Sequence, residues 1–187
     1  NPLIILEPSH VIRATVGLGF GRGRLRYARL ILNGRDLKTK KTSARKRKEN
    51  FEEFDEALDK VLNLNDWHAF VNALGDAGYV NKGMISSENT VPLTFAITLI
   101  AKHRFGIRGI ELQRIAKRWF FMAILTQMYT GNFESVFEQQ MNSINELKDP
   151  ESFRSWVDGE IAARLTDDFF AVTLPNELDK NRASGPV

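Results

Sequence analysis

The sequence contains no cysteine among its 187 residues. Disulfide scaffolds, zinc–thiolate sites and cysteine nucleophiles are therefore excluded, and a reducing, cytoplasmic setting is the expectation. Histidine is scarce: His10, His68 and His103 stand far apart, so neither a metal nor a cofactor is expected. No apolar run approaches the ~20 residues of a membrane span, and no membrane partner is expected. Alternating strand patterns and internal repeats are absent, as is the GK[ST] signature of a phosphate-cradling loop. The chain opens on Asn1 without a signal-peptide pattern, and reads as a piece of something longer.

What is present is an uneven charge. The net charge of +3 hides a division. Residues 1–48 carry 13 Lys+Arg against Glu7 and Asp36 (+11), and the remainder carries 13 against 21 acidic residues (−8). Such asymmetry suggests a basic arm that meets an anion, with DNA as the commonest large anionic partner. The plain alternative is a solvated surface, or an arm that pairs with acidic residues 49–60 of its own chain. The candidate nucleic-acid contacts are Arg22, Arg24, Arg26, Arg29, Lys38, Lys40, Lys41, Arg45, Lys46, Arg47 and Lys48.

Helical spacing dominates the rest. A short helix is expected from a Ser9 cap through Val16, and a second over about 22–33, with Arg22, Arg26 and Arg29 in line. Between them, Gly17-Leu-Gly-Phe-Gly-Arg-Gly23 reads in two ways. Its amides can approach a phosphate beside Arg22 and Arg24, or it is a flexible hinge. No strand precedes it and the spacing is not GxGxxG, which favours the hinge. Residues 35–48 read as a mobile basic loop resembling a nuclear-localisation string.

From Glu49 the apolar stripe is nearly continuous. Asp66 is a candidate helix cap. Trp119 to Leu125 is apolar on every side and so predicts the central, buried helix. Asp149-Pro150-Glu151 is a strong helix start. Thr166 is expected to cap a last short helix that Pro175 ends. The expected fold is all-α, an irregular bundle of about seven to nine helices. It divides into a basic arm (1–48), the bundle (49–174) and a polar tail (175–187).

No catalytic constellation emerges. Asp66, Trp67 and His68 are neighbours on one helix and point in different directions, so they build no dyad. Glu134, Glu138 and Glu146 share a face without the histidines a di-metal bundle requires. The aromatics read as core.

One stretch carries a resemblance. The run from Arg118 and Trp119 through Phe120 to Tyr129, Gly131, Glu134 and Ser135 is similar to the RWFF…L…YxGxxES helix–turn–helix of GmrSD-type proteins, relatives of modification-dependent (Type IV) restriction endonucleases. Gly21-Arg-Gly-Arg24, Asn65-Asp-Trp67, Phe70, Ala77-Gly78 and Ile85-Ser86 resemble the same helical region, over about 20–165. Full-length members carry an amino-terminal ParB/sulfiredoxin-like domain with an Asp-Gly-Gln-Gln-Arg motif, and many add a carboxy-terminal HNH nuclease domain. Neither motif occurs in this chain. The resemblance thus implies a helical segment without either catalytic part, with adjacent domains of the parent polypeptide as partners. Read physically, Trp119 and Phe120 anchor the core, Tyr129 to Gly131 turn the chain, and Glu134 and Ser135 satisfy free N–H groups of the next helix. The function class expected is a non-catalytic support for a neighbouring DNA-processing domain, with DNA contact through the basic arm. The alternative is a protein–protein module whose basic arm meets an acidic surface.

Overall fold

A computed structural model describes residues 6–176. Among these the chain is all-helical: α1 (Pro8–Phe20), α2 (Arg26–Leu32), α3 (Ala44–Val61), α4 (Leu64–Asp76), α5 (Thr90–His103), α6 (Gly109–Leu125), α7 (Phe133–Asn145) and α8 (Pro150–Arg164). A 3₁₀ turn at Lys82–Met84 and a π-helical turn at Phe169–Thr173 complete the fold. A lone antiparallel bridge joins Arg35 to Thr42.

The centre of the bundle is α5, not the Trp119–Leu125 stretch that its composition suggested. Every residue from Thr90 to Ala101 is buried. Threonine disguises this helix in the sequence, yet its hydroxyls are satisfied within the helix. Thr94 Oγ1 donates to the Thr90 carbonyl (2.7 Å) and Thr98 Oγ1 to that of Thr94 (2.9 Å). A buried hydroxyl bonded in this way costs little. Helix α5 is wrapped by α1 and α6, α1 also packs on α3, and α4 and α8 lie on α6. On α6 only one face is fully buried, through Ile115, Ala116, Trp119, Phe120, Met122 and Ala123.

Several boundaries differ from expectation for physical reasons. Helix α1 continues past Val16 to Phe20, through Gly17 and Gly19, and is capped at Glu7 rather than Ser9. The glycines are packing positions: Gly17 faces Phe137 and Met141, and Gly19 faces Ala57. Gly21 (φ +60°) ends the helix in the left-handed region, where glycine is favoured. The expected hinge is thus a helix end with close contacts. Helix α2 begins at Arg26, so Arg22 lies before it. Residues 44–48 form the first turn of α3, capped by Ser43 Oγ accepting from Lys46 N (3.0 Å). The charge boundary at residue 48 therefore falls inside a helix. Asn63, not Asp66, caps α4, accepting from Asn65 N and Asp66 N. Pro175 does not end the last helical run, which continues to the limit of the described residues; the expected tail beyond 176 lies outside them. Asp149 caps α8 as its sequence dictates, with Pro150 at the first position.

The turn between α6 and α7 is anchored from inside. Trp119 Nε1 donates to the Tyr129 hydroxyl (3.0 Å), which donates to Gln140 Oε1 (3.0 Å), all in the buried interior. Trp119 also stacks on Trp156 at 5.0 Å between centroids. Burial pushes the Tyr129 phenol far above its ordinary pKa, so it acts as a neutral hydrogen-bond relay. Tyr129→Phe leaves the indole N–H and the Gln140 carbonyl without partners, and is expected to cost about 1–3 kcal/mol in urea unfolding.

His10 supplies a pH dependence. It is buried, and Nδ1 accepts from the Glu7 backbone N–H (3.2 Å), closing the first turn of α1. Burial, the largest cause, lowers its pKa below 6.5. The unfolded chain therefore takes up the proton first as pH falls. The contribution is intact above about pH 6.5 and is lost as pH drops through the lower folded value. Stability measured by denaturant at stepped pH should fall more gently in His10→Gln than in the parent chain.

Candidate nucleic-acid interface

The basic segment is built from local chemistry. Asn33-Gly34 ends α2, and Gly34 (φ +81°) lies where an added Cβ would meet the Ser43 carbonyl at 2.6 Å. Asp36 Oδ1 accepts from the amides of Lys38 and Thr39 (2.8 Å each). These bonds, that to Thr39 first, hold the Asp36 carboxyl below its ordinary pKa. Asn50 Nδ2, buried on α3, donates to the carbonyls of Ile31 (2.8 Å) and Arg35 (3.2 Å). The segment is thus a pinned turn between α2 and α3, where the sequence suggested a mobile loop. A small apolar cluster of Val16, Ala28, Ile31 and Phe54 seats it on α1 and α3.

The arginines divide into two groups. Arg22 and Arg24 turn inward, onto α7. Glu138 Oε2 accepts from the amides of Gly23 (2.6 Å) and Arg24 (3.2 Å), and Glu138 Oε1 from Arg22 Nη1 (3.3 Å). Arg24 Nη2 donates to Ser135 Oγ (3.1 Å). Glu134 Oε1 accepts from buried Arg13 (3.0 Å) and from the Leu25 amide (3.4 Å). Glu134 and Ser135 therefore bind the N-terminal segment rather than the N–H groups of their own helix. The carboxylate partners of Arg22 and Arg13 lie on α7, not in residues 49–60.

The second group is exposed apart from half-buried Arg35. Among the described residues, Arg26, Arg29, Arg35, Lys38, Lys40, Lys41 and Arg47 meet no carboxylate within ion-pair reach. The guanidiniums of Arg22 and Arg26 lie 5.1 and 5.4 Å from the Tyr27 ring centroid, and Arg47 lies 5.7 Å from that of Phe51. Such contacts hold a guanidinium in place without neutralising it. Arg45, Lys46 and Lys48 pair with Glu49 or Glu52 along α3, at 2.9, 3.5 and 3.9 Å. These exposed pairs hold their charges weakly.

Comparison with known protein families, curated proteins and solved structures finds no match to this chain.

The remaining motif residues are structural in their contacts. Arg118 pairs with Asp158 on α8, Phe120 is buried against Tyr79 at 5.0 Å, and Gly131 turns the chain at φ +58°. Asp66 is joined to Lys102 and lies 3.5 Å from His103 Nε2, while His68 is exposed. Among the described residues no group of three His, Cys, Asp or Glu is placed to hold a metal ion. The sequence reading did not single out Tyr27, Arg35 or Asn50. A legible trace of Asn50 was its position on the apolar face of α3, one turn before Phe54.

Gly23 carries the whole arrangement. A Cβ there would sit 2.4 Å from the Glu138 amide and 2.5 Å from the Phe137 carbonyl carbon, contacts with backbone that no rotamer relieves. Gly23→Ala should lose about 1–3 kcal/mol or more in thermal or urea unfolding. Gly159→Ala on α8, with nothing within 4 Å, should instead gain about 0.5–1 kcal/mol.

Proposed function

We propose that this chain is a non-catalytic helical module of a larger DNA-processing protein, similar in role to the helical region of GmrSD-type proteins, and that its α2–turn–α3 surface rides on the DNA phosphate backbone. One observation carries the reading. Among the described residues, seven cations on one pinned hairpin lack carboxylate partners, although the chain beyond residue 48 is acidic overall. Arg22 and Arg24 are spent in fixing that hairpin to α7; the others are left for an external anion. Phosphates spaced along a duplex suit such an array, because each contact releases condensed counterions. Lysines and arginines of this kind position a protein on DNA and do not read bases. The same body offers the neighbouring domains of the parent polypeptide a rigid support.

Binding of duplex DNA, followed by fluorescence anisotropy across a salt series, tests the reading. The affinity should fall linearly on a log–log plot, by about 0.9 per phosphate contact, giving a slope of roughly −4 to −6 if most of the seven engage. The double variant Arg29→Gln, Arg47→Gln should flatten that slope by about 2. Absence of binding at low salt overturns the proposal and leaves the protein-interaction module as the better account.

A further inference from the structure

At the foot of the basic surface lies a cleft of about 730 Å³, between the ends of α1, α5 and α7 and the turn before α3. We propose that this cleft is a binding site for a phosphomonoester, either a small phosphate ester or the phosphorylated end of a nucleic-acid strand. The second source rests on the DNA reading above; the first does not.

The charges around the cleft support an anion. Arg22, Arg35, Lys38, Lys46 and Arg104 line it against Asp36, Glu53 and Glu146; Arg22 and Lys46 are already paired with Glu138 and Glu49, so the cations left for a ligand are Arg35, Lys38 and Arg104. Of the lining acids, Asp36 is committed to the turn amides. Arg104 has only neutral partners, donating to Asn145 Oδ1 (2.9 Å) and to the Asn145 carbonyl (3.3 Å). Arg35 is half-buried and its side chain meets no acceptor among the described residues. Arg104 is exposed; with no carboxylate partner among the described residues, each of the two arginines keeps its attraction for an anion unspent.

The helix ends that border the cleft oppose this only in part. Their exposed carbonyls would repel an anion, but Asn145 Nδ2 donates to the Gly21 carbonyl (2.9 Å) and Arg104 covers that of Asn145. One carbonyl at the end of α1 and one at the end of α7 are thereby covered. The volume falls within the usual range for small-ligand sites, roughly 300–1,000 Å³. Cations approach from the turn on one side and from α5 on the other. That arrangement suits a group with three terminal oxygens better than a carboxylate with two. Arg35 and Lys38 belong both to the cleft and to the outer group, so a strand tracked along the hairpin leads its terminus here.

The test uses the full chain in two arms. Inorganic phosphate and a nucleoside monophosphate are titrated calorimetrically, and a short duplex is compared with and without a terminal phosphate. The expected result is saturable phosphate binding and about tenfold tighter binding of the phosphorylated duplex. Arg35→Gln and Arg104→Gln should abolish both, whereas Arg108→Gln, outside the cleft, should not. Arg35 anchors nothing else through its side chain, so its variant keeps the result interpretable if loss of Arg104 loosens α7. Phosphate binding without duplex binding supports the cleft and overturns the DNA surface. Duplex binding that ignores the terminal phosphate, together with no binding of inorganic phosphate or nucleotide, overturns the cleft and retains the surface.

Discussion

The Glu138 carboxylate is the contact on which the rest depends. It sits on α7, buried, and takes two main-chain amides of the Gly23–Arg24 segment and the guanidinium of Arg22. A buried carboxylate is tolerated only when its lone pairs are filled and its charge is opposed, and this one has both. The amides it accepts precede α2 and have no helical partner of their own. One side chain thus resolves two problems, an unsatisfied segment and a buried charge. In doing so it welds the N-terminal segment to a helix more than a hundred residues later.

That weld explains the glycines. A carboxylate can reach a backbone amide at 2.6 Å only if nothing projects from that residue toward the helix, and Gly23 projects nothing. The spacing of Gly17, Gly19, Gly21 and Gly23 looks like a flexible run when read as a string. In space it is a line of close approaches to Phe137, Ala57, Asn145 and Glu138 in turn. Flexibility in the unfolded chain has been exchanged for proximity in the folded one.

Legibility followed the range of the interaction concerned. The start of α8 was readable because Asp149, Pro150 and Ser152 act within one turn. The all-helical class was readable because period and composition agree along the chain. The central helix was misplaced because threonines 90, 94 and 98 look polar, and only their carbonyl partners four residues back make them core. Asp66 looks like a cap in isolation; Asn63 takes that role three residues earlier, and Asp66 serves Lys102 and His103 on α5 instead. In the basic segment the charges were legible but their allocation was not. Arg22 and Arg29 are indistinguishable as letters, and what separates them is the position of Glu138 in space.

This allocation is the physical basis of the proposed surface. Had all the arginines before residue 30 found carboxylates, the hairpin would be an internally neutralised piece of scaffold. Had none, the like charges of α2 and the turn would repel the segment from the rest of the fold. Instead α7 neutralises those nearest the core, through Glu134 and Glu138, and the turn is held by Asp36 on its own amides, by Asn50 and by the apolar cluster beneath α2, none of which uses an outward cation. Anchoring that leaves the outward cations unpaired matters here. An array fixed by its own counter-ions would have to surrender them to bind a polyanion, and the gain from the new contacts would be offset by the loss of the old ones. In this segment the carboxylates of Glu138, Glu134 and Asp36 are taken up by main-chain amides and the inner arginines, so the outward cations keep their field.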